Sequence, residues 1–82
     1  MKAYLGRYEL APGAWFTVTR EADQLLVQLT GQAAYPVFPE GPREFFYKVV
    51  DAQITFETDA QGRATALILH QNGMDQRAKR VE

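Results

Sequence analysis

The stretch ATALILHQNGMDQRAKRV, residues 64 to 81, decides how this chain folds. In its first half, Leu67 and Leu69 recur at the period of two that is typical of a half-buried strand. The dipeptide Asn72-Gly73 follows, and both of its residues tolerate the positive φ angles that a two-residue type I′ turn requires. The stretch therefore predicts an antiparallel hairpin whose two strands flank this turn.

The rest of the chain repeats this pattern of short strands and tight turns. No segment keeps a helical period over a dozen residues. We predict about eight strands, at 4–10, 15–21, 24–30, 34–38, 44–50, 53–58, 64–71 and 74–81. An open meander would leave two exposed edges, and closing it removes both. The predicted fold is thus all-β, a small antiparallel up-and-down β-barrel formed by a single domain over residues 1–82.

Composition excludes several classes of function. Nine basic and ten acidic residues are scattered along the chain and give a net charge of −1. Nucleic-acid binders usually carry a basic stripe, which this chain lacks, so we expect no nucleic-acid partner. No apolar run approaches the roughly 18 residues that would span a bilayer, so we also expect no membrane insertion.

The residues that usually carry catalysis are scarce. The chain has no serine and no cysteine, which removes the common acyl-transfer nucleophiles. The only histidine, His70, lies between Leu69 and Gln71 and so points outward if Leu69 points inward. An exposed strand histidine beside a hairpin is the simplest interpretation. We expect no catalytic residue, no metal site and no cofactor.

The alternation assigns one set of side chains to the barrel interior. It comprises Tyr4, Gly6, Tyr8, Leu10, Phe16, Val18, Leu25, Val27, Leu29, Ile54, Phe56, Leu67 and Leu69. The same alternation turns Trp15, Leu26, Phe46 and Val50 outward, and contiguous exposed apolar residues often mark an interface. These four are the predicted interface residues. The alternatives are a bulge that flips one strand, or a barrel that is really two faces sharing one core.

The most unusual stretch is AYPVFPEGPREFFY, residues 34–47, in which aromatic side chains alternate with proline and glycine. Small barrels bind single ligands at their mouths. Tyr35, Phe38, Phe45 and Tyr47 are therefore predicted ligand-pocket residues. The alternative is a loop that is held in place by its own aromatic side chains.

Taken together, several stretches resemble a known family. They are YLGRYEL (4–10), QLLVQLTGQ (24–32), FPEGPREFFYKVVDAQITFETDAQG (38–62) and ALILHQNGMDQRAKRV (66–81). They are similar to a C-terminal domain of unknown function found in serine hydrolases related to penicillin-binding proteins and class C beta-lactamases. The similarity extends from Tyr4 to Val81.

The resemblance implies an accessory, lipocalin-like β-barrel that follows a catalytic domain, so residues 1–82 would be the C-terminal part of a larger serine hydrolase. The family's Ser-x-x-Lys nucleophile belongs to that other domain, and no catalytic residue carries over to this chain. The positions that do carry over are structural: Gly6, Tyr8, Gly62 and Gly73. The resemblance further implies a periplasmic or otherwise extracytoplasmic parent protein.

Two functions are consistent with these features. The first is a non-catalytic accessory domain that docks on the catalytic domain of its own chain, shaping access to the active site or supporting homo-oligomerisation. The alternative is a lipocalin-like module that binds a small apolar or peptide ligand.

Overall fold

The computed structural model describes residues 2–82, apart from the side chain of Lys2. A 3₁₀ turn, Lys2–Tyr4, precedes eight strands. The strands are β1 (Gly6–Ala11), β2 (Ala14–Glu21), β3 (Gln24–Leu29), β4 (Ala34–Pro39), β5 (Glu44–Tyr47), β6 (Ala52–Thr58), β7 (Ala64–Gln71) and β8 (Met74–Arg80). Within residues 2–82, no helix is long and apolar enough to cross a membrane.

The strands form one closed barrel in chain order, each antiparallel to the next, with β8 pairing back to β1. The predicted all-β, up-and-down barrel is confirmed. The turn between β7 and β8 is also as predicted, because Asn72 and Gly73 both have positive φ angles, 57° and 73°. This two-residue turn pairs Gln71 with Met74 and thereby sets the register of the whole hairpin.

Two predicted strand boundaries are wrong. Residue 4 lies in the 3₁₀ turn, and β1 begins only at Gly6. Strand β5 ends at Tyr47 and not at residue 50, because the chain bends and reverses over residues 48–51. In that bend the amide of Ala52 donates a hydrogen bond to the carbonyl of Val50, at 3.0 Å.

The interior of the barrel is a continuous apolar core. Nine of the predicted inward residues are buried: Tyr8, Phe16, Val18, Leu25, Val27, Ile54, Phe56, Leu67 and Leu69. Tyr4, Leu10 and Leu29 lie nearer the barrel ends and are only partly buried against this core. The small residues Ala52, Ala64 and Ala78 and the larger Val37 and Phe45 complete it.

One end of the barrel is plugged by the 3₁₀ turn. The Tyr4 ring stacks on Phe56, with ring centroids 4.3 Å apart, and meets the edge of Phe45 at 5.8 Å. Its hydroxyl donates to the carbonyl of Pro42 at 3.1 Å. The opposite end carries the turns after β1, β3, β5 and β7 and remains open. The two ends of the barrel therefore differ in what can reach the core.

The barrel closes along a short seam between β1 and β8. Only Tyr8 with Arg80 and Glu9 with Lys79 are paired there, although Val81 also donates its amide to the Arg7 carbonyl at 2.8 Å. The Arg80 guanidinium strengthens this seam by donating to the carbonyls of Ala3, Leu5 and Ala64. One arginine side chain thus joins the 3₁₀ turn, β7 and β8.

Gly6 is required at this seam for steric reasons. Its φ angle is +149°, and a Cβ atom at this position would collide with the carbonyl oxygen of Glu82. Gly13, in the turn after β1, also has a positive φ of +81° but open space around it. A side chain at position 13 would therefore meet backbone strain alone, whereas a side chain at position 6 would meet both strain and steric overlap.

We predict that Gly6→Ala destabilises the barrel more than Gly13→Ala does. Gly13→Ala should cost about 1–2 kcal/mol of unfolding free energy through backbone strain alone. Gly6→Ala should cost about 2 kcal/mol beyond that, because the methyl group pushes residues 6 and 82 apart. Urea denaturation of both variants measures the difference. Equal losses would contradict the role assigned to the seam.

The barrel should also lose stability at alkaline pH. Burial raises the pKa of Tyr8 and of Tyr47 to about 12, whereas an unfolded tyrosine titrates near 10. The unfolded state therefore releases protons first, and the unfolding free energy should fall as pH rises from 10 to 12. Denaturation at a series of pH values measures this slope. It should become shallower in Tyr8→Phe and in Tyr47→Phe, and an unchanged slope in both would contradict this account.

Candidate functional site

The open end of the barrel holds a hollow of about 390 Å³. Its floor consists of the core side chains Phe16, Val27 and Leu69. Its walls and rim are formed by Leu29, Gln32, Tyr35, Tyr47, Val49, Val50, Ala52 and Gln71. We call this hollow the barrel mouth. It is a cavity at the position where small barrels take ligands.

The four predicted pocket residues do not share one cavity. Tyr35 and Tyr47 line the barrel mouth. Phe38 and Phe45 lie toward the plugged end, where they border a separate hollow of about 250 Å³ beside Tyr4. The reason is strand geometry: Phe38 is three residues beyond Tyr35, so it is displaced by about 10 Å along β4 and points to the other face.

Phe38 belongs instead to an apolar surface on the outside of the barrel. It pairs with Phe46 across β4 and β5, with ring centroids 5.8 Å apart. Leu26 of β3 pairs with Pro36 of β4, one step along the same outer face. We call these four residues, Leu26, Pro36, Phe38 and Phe46, the outer patch. The ammonium group of Lys48 lies 4.1 Å from the centre of the Phe38 ring and borders the patch.

Only two of the four predicted interface residues lie in the outer patch, namely Leu26 and Phe46. Trp15 is also on the outer surface, but it sits under the Arg7 guanidinium, 4.4 Å from the ring centre. Since Thr19 pairs with Leu26, Trp15 is four residues, about 13 Å, away along β2. Val50 is not on a strand at all. It lies in the bend after β5 and borders the barrel mouth.

His70 points outward, as predicted, and takes part in a three-residue hydrogen-bonded chain. Its Nδ1 lies 2.7 Å from Asp75 Oδ1, and its Nε2 lies 2.9 Å from Thr55 Oγ1. Because a carboxylate only accepts, Nδ1 donates to Asp75, and in the neutral ring Nε2 then accepts from the Thr55 hydroxyl. The residues follow the order hydroxyl, imidazole, carboxylate that is known from hydrolytic triads.

The surroundings of Thr55 explain the role of these three hydrogen-bonded side chains in the fold. Thr55 is in the middle of β6, paired with Glu44 of β5 on one side and Ile68 of β7 on the other. The backbone amides around it are part of the sheet ladders, whereas a hydrolytic site needs amides directed at the developing oxyanion. The three side chains link β6, β7 and β8 on the outside of the barrel.

The acidic residues near the β6–β7 turn have partners within the protein. Glu57 accepts from Arg77, with Nη2 2.9 Å from Oε1, and this hydrogen bond lowers the pKa of the Glu57 carboxyl. Asp59 accepts from the amides of Gln61 and Arg63 within its own turn, which also contains Gly62. Across residues 2–82 no cluster of three or more candidate metal ligands occurs.

Sequence reasoning missed several residues of these sites. The pairing of His70 with Asp75 follows from the Asn72-Gly73 turn, since a two-residue loop puts residues 70 and 75 opposite each other. That signal was present in the sequence. Gln71 of β7 also continues the inward alternation of Leu67 and Leu69. By contrast, Gln32 and Val49 lie between strands and reach the barrel mouth only because the turns of the open end converge there. No local pattern marks these two residues.

Comparison with known proteins gives two matches. The chain matches the profile of a family described as a domain of unknown function, DUF3471, over residues 1–81. It is 29% identical over 79 residues to penicillin-binding protein 4* of Bacillus subtilis (strain 168). The aligned region is 96% of this chain but 17% of that protein, so the chain spans about a sixth of the length of this relative.

No solved structure matches the chain significantly. The family match, however, covers almost the entire barrel, from the 3₁₀ turn through the closing strand β8. It includes both the barrel mouth and the outer patch. This chain belongs to the DUF3471 family of domains of unknown function.

Proposed function

We propose that this barrel is a non-catalytic accessory domain of a beta-lactamase-related serine hydrolase, and that it docks on the catalytic domain of its own chain. Two findings support this proposal. The matched relative is named as a penicillin-binding protein, and its aligned region is a small part of a much longer chain. The barrel itself has neither serine nor cysteine to act as a nucleophile.

The single observation that carries the docking role is the outer patch. Phe38 and Phe46 pack against each other on the outside of the barrel, whereas the core is formed by the side chains that face the interior. The contact between the two rings is therefore separate from that core. Aromatic side chains are enriched at the centres of protein interfaces, whose rims are polar, and the polar head group of Lys48 borders the outer patch.

The proposed parent protein is extracytoplasmic and supplies all of the hydrolytic chemistry. In this arrangement the barrel restricts or shapes access to the catalytic serine of the neighbouring domain. The same barrel would also support a homo-oligomer, in which Trp15 and the Arg7 guanidinium above it form a second contact surface.

The mass of the native polypeptide tests the first half of the proposal. We expect an antibody against the barrel to detect, in the source cell, a band several times larger than 9.3 kDa. A band at 9.3 kDa would overturn the accessory role, because no catalytic domain would then share the chain.

The outer patch is tested with matched substitutions in the native full-length protein. Phe46→Glu should place an unpaired carboxylate in the contact and weaken the coupling between the two domains by about 2 kcal/mol. Scanning calorimetry should then show two separate unfolding transitions where the unsubstituted protein shows one. Ile68→Glu is the control, because Ile68 is also partly exposed and outward-facing but lies on β7, which is separated from the outer patch by β6.

If Phe46→Glu and Ile68→Glu give the same calorimetric trace, the outer patch is not the docking surface. Scanning calorimetry of Trp15→Ala tests the second contact, which involves Trp15 and Arg7. Self-association of the isolated barrel that is lost in Phe46→Glu would instead assign the patch to a second copy of this chain.

The non-catalytic part of the proposal has its own test. The isolated barrel should not hydrolyse a chromogenic ester above the background rate. Hydrolysis that disappears in both Thr55→Val and His70→Ala would show that the hydrogen-bonded side chains of Thr55, His70 and Asp75 are catalytic. This result would overturn the proposal.

A further inference from the structure

We propose that the barrel mouth is a binding site for a small, uncharged, largely apolar molecule that carries one hydroxyl or carbonyl group. This inference goes beyond the accessory role and does not depend on it, because the site is built from this chain alone. It rests on the depth of the mouth, on the charge of its lining and on the placement of its polar groups.

The depth of the mouth is the first argument. Its floor is made of core side chains, since Phe16 and Val27 are each 2% exposed and Leu69 is 8% exposed. A molecule entering from the open end would therefore contact the barrel interior directly. A volume of about 390 Å³ falls within the range of small-molecule sites in proteins.

Part of the rim of the mouth is apolar where a typical surface would be polar. Val49 is 56% exposed and Val50 46% exposed, and both lie in the bend that follows β5. A ligand seated in the mouth would cover apolar surface from these two valines. At the opposite end the Tyr4 ring stacks on Phe56 and covers part of the core.

The charge of the lining selects an uncharged ligand. None of the side chains that line the mouth is ionised at neutral pH. A charged group placed there would lose its water without gaining an opposite charge, which is costly. The pKa of Tyr47 is raised for the same reason: burial removes water from this phenol and so disfavours its negatively charged form.

Four polar side chains specify where a hydrogen-bonding group of the ligand would lie. Gln32, Tyr35, Tyr47 and Gln71 border the mouth, and together they offer both donors and acceptors. A ligand with one hydroxyl or carbonyl group could satisfy them while its apolar part reaches the floor. A wholly apolar ligand would leave these groups without a partner.

The test uses the isolated 82-residue barrel, which closes its own core. The neutral dye N-phenyl-1-naphthylamine should bind with one-to-one saturation, seen as a rise in fluorescence. Neutral 4-propylphenol should displace it, and anionic 4-propylbenzoate should do so at least about tenfold more weakly. Absence of saturable dye binding, or equal displacement by both compounds, would overturn the proposal.

Two pairs of variants locate the site. Leu29→Trp should fill the mouth and abolish dye binding, whereas Leu26→Trp, on the outer face of the same strand, should not change it. If Leu29→Trp does not fold, Val50→Asp provides the second measurement. It places a carboxylate on the exposed rim and should weaken binding at least about tenfold.

Val81→Asp is the control for Val50→Asp, because Val81 is similarly exposed, at 45%, but lies at the plugged end. Equal dye affinities in Val50→Asp and Val81→Asp would place the dye elsewhere and overturn the proposal. Because these measurements need only the isolated barrel, their failure would leave the docking experiments on the full-length protein unaffected.

Discussion

The short seam between β1 and β8 is the constraint on which the rest of this structure depends. Without it the eight strands would form an open sheet with two free edges and an exposed core face. The edges are joined by two residue pairs and by the side chain of Arg80. They can approach this closely because Gly6 has no side chain. The guanidinium also holds the carbonyls of Ala3 and Leu5, so the same side chain supports the seam and positions the plug.

Closure at this seam gives the barrel two different ends and therefore two kinds of surface. The 3₁₀ turn that Arg80 anchors puts Tyr4 into one end, and the larger hollow above the apolar core opens at the other. The outside of the sheet carries the apolar outer patch on one side, where Phe38 packs on Phe46. A deep uncharged mouth suits a small molecule, and a shallow outer patch suits a protein partner. The two proposed roles use separate parts of the barrel.

Sequence reasoning succeeded where the period of two was unbroken and failed where a strand ended early. The inward assignment of Phe16, Val18 and Val27 follows directly from that period, and these residues are buried. The assignment of Val50 to the outer surface extended the same period past Tyr47, where the chain in fact bends. The aromatic side chains of residues 34–47 do not form the single predicted pocket, because neighbouring positions of a strand face opposite sides of the sheet.

The sequence by itself determined the strand number, the hairpin register and most of the core, because these depend on local alternation and on turn residues such as Asn72-Gly73. Only the tertiary structure decided which end is open, which aromatic side chains meet, and that Thr55, His70 and Asp75 form one hydrogen-bonded chain. The physical reason is that these contacts join strands whose relative tilt and stagger are set when the barrel closes. Closure depends on all eight strands together, and no single segment encodes it.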